Sequence, residues 1–169
     1  MLKKQQTILT ILWATIGFSM LVYMAFPLFS ARSAQDPNPN VLHIALILGL
    51  LGIAISEWLP NQFLKKARLK QLTSKPLPHL FRIDENSKNL SEQEQFYAKA
   101  WSLYFPSHMI RLIVADLISA LGLLTYLTGH PFHVTAGFHA LAVIMMIRSF
   151  PNTKRFQPKM EQLYSIYKY

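Results

Sequence analysis

Four stretches of the chain are long, apolar and almost free of charged residues. They cover residues 7–29, 41–59, 109–127 and 132–150. An α-helix rises 1.5 Å per residue, so about 20 residues cross the roughly 30 Å hydrocarbon core of a bilayer. The pattern predicts an all-α, polytopic membrane protein in which four transmembrane helices form two hairpins. The segment 60–108 is then a long loop between the hairpins.

Composition supports this assignment. The chain has 169 residues, of which 51% are hydrophobic and only 15% are charged, whereas soluble domains carry about 25% charged residues. The first apolar stretch is too long for the core of a signal peptide and is expected to remain as the first helix. The absence of cysteine excludes disulfides, thiolate metal sites and iron–sulfur clusters.

Basic residues are concentrated on one side of the predicted membrane. They precede the first helix, occupy the segment 60–108 and follow the fourth helix. The positive-inside rule then places both termini and this loop in the cytoplasm, in a bacterial inner membrane. The net charge of +9 is explained by topology and by attraction to anionic lipids, so no nucleic-acid partner is expected.

The segment 60–108 contains two predicted surface elements. Basic and apolar residues alternate over 63–72, which favours a basic helix lying on the lipid. Ser91 and Glu94 form a capping box that opens an interfacial helix over 91–105. Its aromatic side chains, among them Trp101 and Tyr104, are typical of an aromatic belt, with a partner-docking face as the alternative. Pro106 is expected to end this helix and to begin the third transmembrane helix.

The two predicted hairpins resemble each other in sequence. A shift of 91 residues places Leu59-Pro60-Asn61 on Phe150-Pro151-Asn152. We interpret this as an internal repeat with parallel halves, with chance similarity between apolar segments as the alternative. In both copies proline is expected to end the preceding helix.

Ionisable residues within the apolar stretches are expensive in a membrane and therefore informative. Glu57, Arg111 and Arg148 lie about 3 Å from the inner edge at 1.5 Å per residue and are expected to form an interhelical salt-bridge cluster. Asp116 lies deeper, about 10 Å from that edge. It is expected to bond Ser19, Ser56 or Ser119, or to serve, with Ser119, as a proton or cation site.

Small residues and histidines supply the remaining candidates. Gly49 and Gly52 belong to a small-residue stripe that lets helices approach closely, and together with Trp101 and Tyr104 they are expected to contact a partner. Histidine is a common ligand of haem and metals. The haem or metal candidates are His43, His133 and His139. The alternative is that His43 and His133 are interface residues and that His139 bonds a serine or threonine.

The segment 115–124, Ala-Asp-Leu-Ile-Ser-Ala-Leu-Gly-Leu-Leu, resembles the carboxylate helix of rotary ATPase c subunits. More broadly, residues 110–148 are similar to uncharacterised small four-helix bacterial inner-membrane proteins. The resemblance implies that Asp116 carries a proton. The chain departs from c subunits at its long 60–108 loop and in its first helix, which is not glycine-rich. It departs from the four-helix proteins at Asp116 and Leu117, where they have a glutamate followed by a pair of small residues.

These observations lead to three hypotheses for function. The first is a non-enzymatic structural or accessory subunit of a membrane complex or homo-oligomer, without a cofactor. The second is a proton- or cation-translocating subunit that uses Asp116. The third is a haem-binding, cytochrome-type membrane anchor. The sequence has no Walker loop, nucleophile elbow or His-Glu-x-x-His motif that would favour an enzyme.

Overall fold

The computed structural model describes residues 2–30, 36–63, 91–151 and 153–168. Within these ranges the protein is all-helical and contains no strand. The helices are α1 (Leu2–Phe29), α2 (Pro39–Phe63), α3 (Glu92–Leu127), α4 (Phe132–Arg148) and α5 (Thr153–Lys168). The all-α class is confirmed. The basic helix predicted over 63–72 lies, except for Phe63, outside the described residues.

Three segments are long and apolar enough to cross a membrane, namely Gln6–Phe29, Pro39–Gln62 and Gln95–Leu127. The fourth apolar helix, α4, is shorter. Its 17 residues span about 26 Å at 1.5 Å per residue. In contrast, the 36 residues of α3 span about 54 Å, which exceeds the hydrocarbon thickness of a bilayer.

Helix α3 is the centre of the bundle and packs against each of the other four helices. Sequence periodicity explains this position, because Leu112, Ala115 and Ile118 recur on one side of α3 and are fully buried. Helices α3 and α4 are joined by residues 128–131 and pack against each other. Within the described ranges α1 and α2 pack mainly on α3 rather than on each other, so the first predicted pair is split across the central helix.

The two short connections meet at one end of the bundle. Tyr126 donates its hydroxyl hydrogen to the Ser30 carbonyl at 3.1 Å, and the His130 Nε2 atom lies 2.9 Å from the Asn38 carbonyl oxygen. Gly129 makes the tight turn between α3 and α4 possible through a φ of 88°, which glycine adopts without steric strain. Because both connections lie at the same end, α1 to α4 alternate in direction.

The helix starts follow local sequence chemistry. The Asn38 side chain accepts a hydrogen bond from the Asn40 N–H at 3.1 Å, and Pro39 occupies the first helical position, where a missing N–H has no cost. Helix α3 begins at Glu92, directly after Ser91, as the capping-box sequence predicts. The side chain of Glu94 lies outside the described residues.

Two prolines that were expected to end helices lie inside them instead. Pro60 is within α2, which continues to Phe63, and Pro106 is within the continuous helix α3. Residues 91–105 are therefore the first turns of α3 and not a separate interfacial helix. A buried helix tolerates proline where neighbouring groups satisfy the released carbonyl. Pro151, by contrast, follows α4, so the two Pro-Asn copies differ in conformation, and the repeat stays a prediction.

Helix α5 was not predicted from the sequence. It packs against the first half of α3 and completes a second apolar cluster, whose buried members are Leu9, Phe96, Tyr97, Ala100, Trp101, Met160 and Leu163. The ring centroids of Phe96 and Tyr164 are 5.3 Å apart in an edge-to-face arrangement. The expectation that this aromatic face forms a lipid-facing belt is wrong for Phe96, Tyr97 and Trp101, because α5 and α1 cover it.

Candidate functional site

The structure brings Glu57, Arg111 and Arg148 together, as the sequence predicted. An Nη atom of Arg148 lies 3.2 Å from Glu57 Oε1, and an Nη atom of Arg111 lies 3.9 Å from Glu57 Oε2. These side chains come from α2, α3 and α4. The carboxylate thus links three helices through two guanidinium groups, each within the range in which opposite charges attract appreciably at a protein surface.

Pro60 contributes to the position of Arg111. In an uninterrupted helix the N–H of residue 60 would bond the carbonyl of Ser56, but proline has no N–H to donate. The Nε of Arg111 donates to that carbonyl at 3.4 Å. The proline in α2 therefore frees an acceptor that helps to direct the guanidinium of α3 towards Glu57.

A cavity of about 230 Å³ lies beside this ion-pair cluster. Its lining combines charged, hydroxyl-bearing and apolar side chains from α2, α3 and α4 and the residue that follows α4, namely Ser56, Glu57, Arg111, Met145, Arg148 and Ser149. Two arginines against one glutamate leave one positive charge in excess. The side chain of Arg148 is 68% exposed, so the cavity is open to small anionic groups.

Asp116 has a defined partner on α1. The Ser19 Oγ and Asp116 Oδ1 atoms are 2.6 Å apart, which selects Ser19 from the three serines considered in the sequence. The same Oγ lies 2.8 Å from the carbonyl oxygen of Ile16. A hydroxyl has one hydrogen to donate and can also accept. Ser19 can therefore donate to an ionised Asp116, or accept from a protonated one while donating to Ile16.

Ser119 is paired with His139 rather than with Asp116. The Ser119 Oγ and His139 Nδ1 atoms are 2.8 Å apart, and both residues are buried. The interpretation of His139 as the partner of a serine or threonine therefore matches the geometry. Among the described residues, the buried Nε2 of His139 has no hydrogen-bond partner.

The other two candidate haem ligands lie apart from this buried pair. His43, near the start of α2, and His133, near the start of α4, are both exposed. In the part of the chain that the structure describes, no group of three or more His, Cys, Asp and Glu residues could hold a metal ion. Haem ligation by these histidines stays a prediction.

The four residues expected to contact a partner have contacts within this chain, and a partner contact at these positions stays a prediction. A Cβ added at Gly52 would lie 3.1 Å from Val114, and one added at Gly49 would lie 3.7 Å from Phe138. The small-residue stripe of α2 therefore packs on α3 and α4. Trp101 is only 1% exposed, and the ring of Tyr104 stacks on it at a centroid distance of 6.2 Å.

Two links between α1 and the end of α4 were missed in the sequence. The Trp13 Nε1–H donates to the Met146 carbonyl at 2.8 Å, and the Gln6 side chain donates to the Pro151 carbonyl at 3.1 Å. A polar indole N–H within an apolar helix needs an acceptor, so the presence of Trp13 in α1 already indicated a hydrogen bond from its side chain. Its acceptor is a backbone group near a helix terminus, which no sequence pattern marks.

Comparison of the chain with protein-family models, curated proteins and solved structures finds no match. Function is therefore inferred from geometry. The polar side chains in the apolar helices connect α1 to α3, α3 to α4, and α2 to both α3 and α4. This arrangement can hold a bundle together in a bilayer, and at one end it presents a cationic cavity.

Proposed function

We propose that the chain is a non-enzymatic integral membrane protein that serves as a structural or accessory subunit of a homo-oligomer or a larger membrane complex. The outward faces of α1 and α2 carry this proposal. In their most apolar segments only 11% of the residues of α1 and 22% of those of α2 are buried. The exposed side chains include Phe18, Leu21, Ile47 and Leu50. An apolar surface of this extent is covered by lipid or by partner helices.

The proposed topology has four transmembrane helices, with α4 as the fourth, and cytoplasmic termini in a bacterial inner membrane. Two observations support it. The α1–α2 and α3–α4 connections meet at one end of the bundle, and their sequences carry little charge. The basic segment 60–108 and the basic tail connect to the opposite helix ends, which by the positive-inside rule face the cytoplasm.

A structural role agrees with how the polar groups are used. The Ser19–Asp116 and Ser119–His139 contacts join helices inside the apolar region, where hydrogen bonds between helices add specificity to packing. The likeness to small four-helix membrane proteins is part of the same proposal. Helices α1 and α2 are then the surfaces that meet neighbouring subunits, since the α2 small-residue stripe is already occupied within the chain.

Cysteine scanning tests this assignment without background, because the natural sequence has no cysteine. We expect Leu50→Cys or Phe18→Cys to give cross-linked dimers, or cross-links to a partner, in native membranes, because these side chains face outward. Light scattering of the purified protein should give a multiple of the 19.4 kDa chain mass or a stable complex.

The buried position Ala115, substituted by cysteine, is the matched control and should not cross-link. A monomeric mass with no cross-link at any exposed α1 or α2 position would contradict the subunit proposal. A visible absorption spectrum of the same sample tests the haem alternative. A strong Soret band would indicate bound haem, with the histidines as its candidate ligands.

A second candidate function is proton or cation translocation at Asp116. The Ser19–Asp116 contact favours it, since Ser19 can satisfy the carboxyl group in either protonation state. Asp116 is also only partly buried, so its carboxyl group is not fully enclosed by packed side chains. A carboxyl group that changes charge inside a membrane is the basic requirement of a proton carrier.

This candidate predicts that a hydrophobic carbodiimide labels Asp116 in membranes, because the reagent reacts with a protonated carboxyl group. Labelling should be lost in Asp116→Asn and retained in Asp36→Asn, which removes an exposed acid outside the apolar helices. Peptide mass spectrometry identifies the modified residue. Labelling that persists in Asp116→Asn, or that is absent from the natural chain, would argue against proton carriage.

A further inference from the structure

The cavity between α2, α3 and α4 carries one positive charge that Glu57 does not neutralise. Glu57 approaches one Nη atom of Arg148 and one of Arg111. A guanidinium group has five N–H donors, so each arginine retains donors beyond those directed at Glu57. The carbonyl end of α4 adds about half a negative charge near Arg148. This is smaller than the whole positive charge in excess, so the site remains cationic.

The position of the cavity along the bundle indicates where its ligand comes from. Arg148 is the last residue of α4, and Trp58, directly after Glu57, is 63% exposed. Exposed tryptophan is enriched at the level of lipid headgroups. In the proposed topology the cavity therefore opens at the cytoplasmic headgroup layer, where phosphate groups are abundant and anionic lipids are attracted to basic pockets between helices.

We propose that this cavity binds the phosphate group of an anionic phospholipid, with the guanidinium groups of Arg111 and Arg148 as donors. A phosphodiester carries one negative charge, which matches the single positive charge in excess. Ser56 and Ser149 line the same cavity, and Glu57 holds the two arginines in position. The inference rests on the membrane placement given above, but not on the oligomeric state.

Removing a positive charge and removing a negative charge from this cavity are expected to change lipid retention in opposite directions. The full-length protein is equilibrated with vesicles of equal phosphatidylglycerol and phosphatidylcholine, and retained lipid is counted by native mass spectrometry. Arg148→Gln should reduce phosphatidylglycerol retention by about tenfold or more, as expected for removing a hydrogen bond to a charged group. Glu57→Gln keeps an amide oxygen that can accept from the arginines, raises the excess charge from one to two and should increase retention.

Arg155→Gln removes a cation from α5 and is the matched control, with retention expected to stay unchanged. Arg111→Gln should act like Arg148→Gln. If Arg111→Gln does not fold, Arg148→Gln still tests the site. The Arg148 side chain is largely exposed, so its replacement should leave the fold intact. The proposal is overturned if Glu57→Gln and Arg148→Gln lower retention alike, or if the Arg155 control matches Arg148→Gln.

Inorganic phosphate separates a lipid ligand from a soluble one. We expect millimolar phosphate to leave the lipid bound, whereas displacement of the lipid by phosphate, with the same dependence on Arg148, would overturn the lipid as the source. The same spectra report the number of chains. A monomer with arginine-dependent lipid would uphold the site and exclude the homo-oligomer, and a multimer without that lipid would overturn the site and leave the subunit proposal standing.

Discussion

Replacing Trp101 by alanine is expected to release α5 from the rest of the protein and to lower the free energy of unfolding by about 3–5 kcal/mol. The indole is 1% exposed and lies in the cluster that joins Leu9 of α1, the first half of α3, and Met160 of α5. Its removal leaves a cavity in the cluster that Met160 and Leu163 of α5 share with α3. The effect should be strongest at the end of the bundle where α5 packs, since the buried cluster around Leu112 and Ile118 does not include Trp101.

Thermal unfolding in detergent and limited proteolysis of the C-terminal segment measure this effect. Trp58→Ala is the matched control because its indole is largely exposed and its loss creates no internal cavity. We expect early cleavage within α5 in Trp101→Ala and a natural pattern in Trp58→Ala. If α5 resists proteolysis equally in both variants, Trp101 does not hold α5 in place.

Replacing Gly122 by alanine is expected to separate α3 from α4 and to destabilise the protein by about 1–3 kcal/mol, the usual cost of overpacking. A Cβ at this position would lie 2.8 Å from the Cβ of Phe138 and 3.2 Å from the Thr135 carbonyl oxygen. Neither atom is at the end of a flexible side chain, so the helices themselves must move. The Ser119–His139 contact lies one turn away and should weaken as well.

Gly137→Ala provides the control on the neighbouring helix. Among the described residues, no heavy atom other than those of the adjacent residues and the nearby backbone of α4 lies within 4 Å of a Cβ added there. Alanine should therefore stabilise α4 by up to about 1 kcal/mol through its helix propensity. Thermal unfolding of both variants in the same detergent tests the pair. Comparable losses of stability would show that glycine is needed in general and that close approach at Gly122 is not the cause.

Much of the helical framework follows from the apolar pattern. Residues 41–59 and 132–150 correspond closely to α2 and α4, because a long apolar segment can satisfy its own backbone hydrogen bonds as a helix. The interhelical contacts were also foreseeable in part. An ionisable or polar side chain in an apolar helix requires a partner, and this requirement anticipated the contacts of Glu57, Asp116 and His139.

The remaining features depend on contacts that a one-dimensional pattern does not contain. Pro60 and Pro106 are strong local signals for a helix end, yet both helices continue through them. At Pro60 an arginine donor meets the carbonyl that the proline leaves free. The small stripe around Gly49 predicted close approach but not the helix that approaches. Helix α5 is rich in charge, and only its contact with Trp101 shows that Met160 and Leu163 belong to a core.

During synthesis α1 and α2 leave the ribosome before the helix against which both of them pack. Until α3 is made, Ser19 lacks the carboxylate of Asp116 and Glu57 lacks Arg111, so these contacts cannot yet hold the first two helices in the bundle. The bundle therefore cannot be assembled one hairpin at a time. Its tertiary structure can form only after translation has passed residue 127, and the ion pair is completed only when Arg148 follows.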